Sequence, residues 1–261
     1  MTDTLPTGSD EGKLDHLLPR HLDDLRKSGL TDDTIRASRV RSVTDPRQVA
    51  HLLGDYLTAA AARALGPCLA FPFLDVRGEV VTWAPAGGKG GTATRPFARL
   101  KPDSPRTRGG KAAKYESPRG GGNRAYLPPG VGALLADPTC ELVIVEGEKK
   151  ALAGTQHGFP TVGLSGVWNW TLKRAKDPAT GRGTGPRELI PDLAAVNWSG
   201  RPVTIVFDSD LADKPAVAWA RWHLAQTLAA RGAEVRVVDL PAGDGAKCGL
   251  DDFLLAHGPD A

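Results

Sequence analysis

The chain has 261 residues, enough for one large domain or two small ones, and its apolar fraction of 41% and charged fraction of 24% are ordinary for a globular protein. A net charge of +3 does not by itself establish a nucleic-acid partner, and Cys68, Cys140 and Cys248 lie too far apart, with no CxxC pair, for a zinc ribbon or a disulfide framework. No apolar run approaches the roughly 20 residues that cross a bilayer, and the polar N-terminus is no secretory signal, so the expected location is cytoplasmic, away from membranes.

Residues 1–12 are polar and acidic, and read as a disordered tail. Leu14, Leu17, Leu18, Leu22 and Leu25 recur at helical spacing up to Arg26. Ser28-Gly29 breaks that helix, and Thr31-Asp32-Asp33 caps another beginning near Asp32. An Ala-rich stretch over 47–65, closed by Gly66-Pro67, reads as one further helix. The run LAFPFLDVRGEVVTWAP has the pattern of a β-hairpin turning through Asp75–Gly78.

From Gly87 to Gly130 the composition turns to Gly, Pro, Lys and Arg. The cations include Lys89, Arg95, Arg99, Lys101, Arg106, Lys114, Arg119 and Arg124, against Asp103 and Glu116 alone. Such a stretch rarely packs a core, and the Arg106–Lys111 part is expected to be a solvated loop. Lys and Arg in this density also suit phosphate neutralisation, with Tyr115 as a stacking face beside them.

The chain then becomes regular. Leu142–Glu146 (LVIVE) and Val203–Asp208 (VTIVFD) are short β-branched runs ending in carboxylates, as buried parallel strands do. Ligands of open α/β sheets gather at that carboxyl edge. Glu146 leaves the first strand before Gly147 and a helix over 148–157. Asp208 and Asp210 leave the later strand, and a spacing of two puts both on one side of an extended segment. Three carboxylates brought together repel one another unless a cation lies between them, and an all-oxygen donor set favours Mg²⁺ or Mn²⁺. The alternative is that Glu146 serves a helix end and Asp-Ser-Asp a plain strand-end turn.

Phe159–Val162 reads as the next strand. Gly163 and Gly166 in the following GLSGVWNW can let backbone N–H groups approach phosphate, together with Lys149. Trp168 and Trp170 suit either base stacking or the core. Residues 173–187 form a second basic, Gly-rich insertion, and 189–196 a short helical segment. Pro215 to Arg231 is a helix with proline in its first turn and Gly232 past its end; Trp219 and Trp222, three apart, are expected to pack on the sheet. AEVRVVDL is the next parallel strand, and Asp251-Asp252 either join the acidic site or cap the last helix.

The order of these motifs carries a resemblance. Strand, Glu146, helix, then strand, Asp208-Ser209-Asp210, helix resembles the Toprim domain of bacterial primases, topoisomerases and OLD-type nucleases. The preceding FPFLDVRGEVVTW hairpin, KYESPRGG and AYLPPG are similar to the catalytic core of bacterial replicative primases over about residues 18–258. The chain also looks like the shorter primase-like proteins of plasmids, phages and integrative elements grouped as DUF3854. The resemblance implies an α/β Toprim domain with a parallel central sheet over 140–261, preceded by a smaller α+β basic subdomain over 13–139. It implies Glu146, Asp208 and Asp210 as catalytic metal ligands with Asp251 and Asp252 assisting. Lys114 and Tyr115, with Arg95, Arg99 and Arg119, would line a groove for the template.

Two departures bear on activity. Lys150 stands where the primase pattern has an acid, and Asp213 stands where a glycine commonly follows Asp-x-Asp. The expected function is metal-dependent primer synthesis on single-stranded DNA from nucleoside triphosphates. No zinc-binding or helicase-docking module is evident, so a separately encoded replicative helicase or polymerase is expected as partner. The same acids suit a Toprim nuclease, and Lys150 suits a catalytically silent single-strand-binding accessory. A topoisomerase would need a second large domain with a strand-cleaving tyrosine.

Overall fold

A computed structural model describes residues 14–85, 94–209, 214–241 and 248–260. The expected tail, Lys89, Asp210 and Asp213 lie outside the described residues. The first half begins with α1 (Pro19–Arg26) and α2 (Asp32–Ala37). The helix expected from Leu14 starts only at Pro19, whose missing N–H suits a first turn. The Thr31 hydroxyl accepts from the Thr34 N–H at 3.2 Å, as the capping pattern predicts.

Strand β1 (Arg41–Val43) leads into α3 (Pro46–Leu52) and α4 (Ala59–Ala64). These two replace the single helix expected over 47–65. The break falls at Gly54 and Asp55, both at positive φ, and a Cβ on Gly54 would meet the Trp83 ring at 2.7 Å. Close packing of that indole, which helix propensity does not register, divides the segment.

Strand β2 (Cys68–Pro72) enters the expected hairpin, whose turn closes through Asp75 N–H to Glu79 O at 2.8 Å. Its returning arm runs on into β3 (Thr82–Trp83), which pairs with β4 (Arg95–Pro96). β2 itself lies between β1 and β5 (Ala98–Pro102) in a three-stranded antiparallel sheet. A small hairpin of β6 (Thr107–Arg108) and β7 (Lys111–Ala112) follows, so the Arg106–Lys111 stretch is ordered where a loop is expected.

The second sheet has the order β12-β11-β9-β10-β8. Its members are β8 (Ala125–Tyr126), β9 (Leu142–Glu146), β10 (Thr161–Leu164), β11 (Pro202–Phe207) and β12 (Glu234–Asp239). The last four are mutually parallel, and β8 closes one edge antiparallel. The fold is therefore α/β with a parallel-rich central sheet. Its helices are α5 (Val131–Leu134), α6 (Glu148–Gln156), α7 (Pro191–Ala194), α8 (Pro215–Ala229) and α9 (Leu250–His257).

Alternation along the strands sorts the core. Val143, Val145 and Val206 pack toward Ala151 and Leu152 of α6 and Leu250 and Leu254 of α9. Leu142, Ile144, Ile205 and Phe207 pack on the other face with Leu193 of α7 and Leu224 and Leu228 of α8. Trp170 is fully buried on that second face. Trp219 and Trp222 are not: they remain 55% and 50% exposed, contrary to expectation. On α8 the core-facing stripe is Ala220, Leu224 and Leu228, leaving the two indoles on the outer side.

Candidate active site

Three chain ends meet at the carboxyl edge of the parallel sheet. β9 and β11 run side by side with Val206 level with Val145, so Glu146 and Asp208 emerge at neighbouring strand ends. Gly147, at φ +114°, turns the chain directly into α6. The first turn of α9 brings Asp251 to the same edge, and Asp208 and Asp251 are both buried.

Gly249 makes room for this meeting. A Cβ there would lie 2.3 Å from Lys150 Cε, 2.8 Å from Asp251 Oδ1 and 3.3 Å from Asp208 Oδ1. Lys150, one turn into α6, sends Nζ to Asp208 Oδ1 at 2.9 Å and to the Glu146 carbonyl at 3.2 Å. The residue that departs from the primase pattern thus sits as a built-in cation among the acids. Asp252 faces away: its carboxylate accepts from the Gly249 N–H at 2.9 Å, so of the pair it is the cap and Asp251 the cleft residue.

The opposite wall comes from β5 and the segment after β7. Arg99, Lys101, Lys114 and Tyr115 face Glu146, Lys149, Lys150, Asp208 and Asp251 across a cleft of about 500 Å³. Arg99 is buried, donates to Glu148 Oε1 at 2.5 Å and lies 4.6 Å from the Tyr115 ring centroid. Burial, with the Glu148 charge adding to it, pushes the Tyr115 hydroxyl far above its ordinary value, so Tyr115 stays neutral. Lys101 Nζ binds both oxygens of Asp24 at 2.7 Å, and Lys149 Nζ approaches the same carboxylate at 3.4 Å. Burial pulls the Lys149 ammonium down, against the opposing charge of Asp24.

Other predicted residues lie elsewhere. Arg95 is buried at β4, paired with Asp55 at 2.7 Å and donating to the His51 carbonyl at 3.0 Å. Arg119 is exposed over the Tyr56 ring. Neither lines the cleft. Gly163 is buried within β10, where a Cβ would meet the Gly147 carbonyl at 2.8 Å, so its bareness serves the packing of strand against turn. Gly166 accepts a turn bond from the Asn169 N–H at 2.8 Å. Arg106 is no solvated loop cation, since it binds the buried Glu116 at 2.7 Å.

The sequence gives no sign of the roles of Glu148 and Asp24. Glu148 sits in the EGEKK run, where an acid in a first helical turn reads as a dipole partner. Its contact with Arg99 spans 49 residues, which no local pattern reports.

Glu146, Asp208 and Asp251 offer carboxylate oxygens at this edge, the donors that hard divalent cations take. Buried Asp251 Oδ1 and Glu148 Oε2 have no hydrogen-bond partner among the described residues, and an unsatisfied buried carboxylate oxygen is costly unless a cation or water meets it. In that respect the site fits an ion. As the side chains stand, no three carboxylate, imidazole or thiolate groups among the described residues converge on one point. Lys150 holds Asp208 instead.

The arrangement of a parallel-rich sheet beside a three-stranded antiparallel sheet is a fold shared with primase catalytic cores. The Aquifex aeolicus primase (zinc-binding and RNA polymerase domains) superposes over 93% of this chain and 54% of its own, with a TM-score of 0.54 and 16% identity. The E. coli primase catalytic core matches 92% of this chain and 70% of its own, at 0.51 and 20%. A DnaG primase catalytic domain bound to ssDNA matches 92% and 68%, at 0.50 and 18%. At these identities the likeness is one of fold.

The model of the family described as "Domain of unknown function (DUF3854)" matches residues 132–261. An uncharacterized protein of Picosynechococcus sp. is 32% identical over 133 residues, which is 49% of this chain and 13% of that protein. The chain thus spans a small part of that relative and about half of the Aquifex structure. No helix among the described residues is long and apolar enough to cross a membrane.

Proposed function

We propose that the cleft carries out primase-like nucleotidyl transfer, joining nucleoside triphosphates into short primers on a single-stranded DNA template. The observation that carries this reading is the two-walled cleft. Glu146, Asp208 and Asp251 stand on the sheet side, and Arg99, Lys101 and Lys114 face them. Acids alone would suit a structural ion and cations alone a polyanion; facing one another, they suit a metal-bound triphosphate beside a strand. Support also comes from the fold shared with a primase domain bound to ssDNA.

Glu146, Asp208 and Asp251 would hold a divalent ion, with Asp210 as the further ligand that the sequence offers. Such an ion supplies charge stabilisation on the transferring phosphoryl group and a more acidic 3′-hydroxyl. The chain's own groups do the rest. Lys114, Lys101 and Lys149 attract phosphate oxygens into the cleft. Arg99 is fixed by Glu148 and keeps the Tyr115 ring in place, and the neutral Tyr115 contributes a face without adding charge. For Asp208 to hold an ion, Lys150 would turn its ammonium from that carboxylate to a phosphate oxygen of the substrate.

The Lys150–Asp208 pair also favours a second reading, a single-strand-binding replication accessory whose acids are already neutralised. Incorporation of labelled nucleoside triphosphates on single-stranded DNA, with Mg²⁺ or Mn²⁺, separates the two. The primase reading expects short products that fall at least about 100-fold in Asp208→Ala, the order seen when one transition-state interaction is removed. Shortening of the template that depends on Asp208 would replace it with a nuclease. Neither activity, with strand binding intact in both proteins, establishes the accessory. A separately encoded helicase or polymerase as partner is tested by adding it to the same assay.

A further inference from the structure

A second cleft opens where two of the stretches that line the first run on in sequence. Ala112, Lys114, Tyr115 and Ser165 line the acidic cleft; Gly120, Gly122 and Asn123, with Trp168 and Asn169, line its neighbour. The neighbour's character differs. Its volume is about 720 Å³, and its charged lining is Lys173, Arg174, Lys176 and Arg187, with no carboxylate. None of these four cations pairs with a carboxylate among the described residues. Arg174 donates to the Gly185 carbonyl at 3.1 Å, and Arg187 lies over the Trp168 indole at 4.2 Å. Of the acids adjacent in sequence, Asp177 turns its carboxylate onto the Ala179 and Thr180 N–H groups of its own turn, and Glu188, beside Arg187, does not line the cleft.

From Trp168 a row of rings leads out of this cleft along α8. Trp168 and His223 are 5.8 Å apart, His223 and Trp219 4.7 Å, and Trp219 and Trp222 5.1 Å with their planes 10° apart. Burial, then the fields of Arg187 and Arg174, hold His223 below the ordinary imidazole value, so it belongs to the row as a neutral ring. A pair of indoles half open to water is unusual for large aromatics, which proteins tend to bury. Unpaired cations that continue into exposed, stacked π faces form the combination by which proteins hold single strands without reading sequence.

We propose that this second cleft and the Trp168–His223–Trp219–Trp222 row bind single-stranded nucleic acid, carrying a strand beyond the acidic cleft with phosphates on Arg174 and Arg187 and bases on the indoles. The inference rests on the single-strand reading of the first cleft, from which two lining stretches run on in sequence into this one. Cations without a carboxylate partner among the described residues, continued by exposed stacked indoles, favour a strand that offers both phosphates and bases over a protein strand or a second copy.

The test is fluorescence anisotropy with a labelled 20-nucleotide oligothymidylate and the full chain. Four proteins are compared: wild type, Trp219→Ala/Trp222→Ala, Arg174→Ala/Arg187→Ala, and Lys114→Ala in the first cleft. The tryptophan pair is expected to weaken binding about 10- to 100-fold, the range for losing one stacked base, with the salt dependence unchanged. The arginine pair is expected to weaken binding and to flatten the salt dependence, by about 0.7 in log–log slope for each phosphate left unneutralised. Wild-type affinity in both double variants, with Lys114→Ala weakened, overturns this inference and leaves the proposed function standing. The converse, with only Lys114→Ala unaffected, upholds the second site and removes the first. No strand binding by wild type overturns both. A concentration-dependent dimer abolished by Trp219→Ala/Trp222→Ala, with strand binding unchanged, assigns the indoles to a second copy instead and also overturns it.

Discussion

Lys150 concentrates the chemistry of the cleft in one side chain. Its ammonium is the counter-charge of the buried Asp208, and its stem lies where Gly249 has no side chain. Lys150→Met keeps that stem and removes the charge. Weakening the compensation of a buried carboxylate is destabilising, and Asp208 keeps other interactions, so a loss of about 1–3 kcal/mol is expected in chelator. If a divalent ion takes the place of the ammonium, Mg²⁺ recovers more stability in Lys150→Met than it adds to wild type. Urea unfolding with EDTA and with Mg²⁺ measures this, and equal effects on both proteins would place the ion away from Asp208. From sequence, the acids at 146 and 208 are legible because strand-terminal carboxylates follow directly from a local apolar run. The role of Lys150 is not, since its partner lies 58 positions away and a lysine on a helix looks the same whether it is solvated or paired.

At the level of elements, one glycine sets how closely α6 approaches the sheet. Gly154 faces Thr161 at the start of β10, and a Cβ there would stand 2.3 Å from Thr161 Oγ1 and 3.3 Å from Leu250 Cδ2. Gly to Ala inside a helix ordinarily gains up to about 1 kcal/mol. Here Thr161 is fully buried and its hydroxyl already donates to the Phe159 carbonyl at 2.6 Å, so it cannot yield freely. Overpacking of that kind costs about 1–3 kcal/mol, and Gly154→Ala is expected to be net destabilising. A lower urea midpoint at unchanged slope would show it; a raised midpoint would mean that helix and strand separate without penalty. The same close approaches explain what element prediction missed. β9, β11 and α8 follow from apolar pattern and a proline, whereas the break at Gly54 depends on Trp83, a residue 29 positions on. The outward face of Trp219 and Trp222 follows from which stripe of α8 the sheet takes, and the Ala220–Leu224–Leu228 stripe competes equally well on paper.

Across the whole molecule, one core cluster runs from Leu14 and Leu25 through Phe71, Phe73 and Tyr126 to Val145, Val206 and Leu254. The basic wall and the acidic edge are therefore held against each other by shared packing, and Asp24 adds an ionic tie at the same seam. It joins α1 to Lys101 of β5 and Lys149 of α6. Burial works to raise the Asp24 pKa, but the hydrogen bond from Lys101 and the charge of Lys149 outweigh it and hold the carboxyl below its ordinary value. A group depressed in the folded state binds protons more readily when unfolded. Its stabilisation is complete above the unfolded value, about 3.9, and disappears as pH falls through the lower folded value. Asp24→Asn is thus expected to be less stable than wild type at pH 7 by about 1 kcal/mol, the upper end for a partly exposed ion pair. The difference should narrow steadily on acidification below pH ~4 and vanish once wild-type Asp24 is protonated in both states. Urea midpoints of the two proteins between pH 7 and the acid limit measure it. A gap that stays constant with pH would mean that Asp24 acts by packing alone and that the two walls of the cleft are held together by the core.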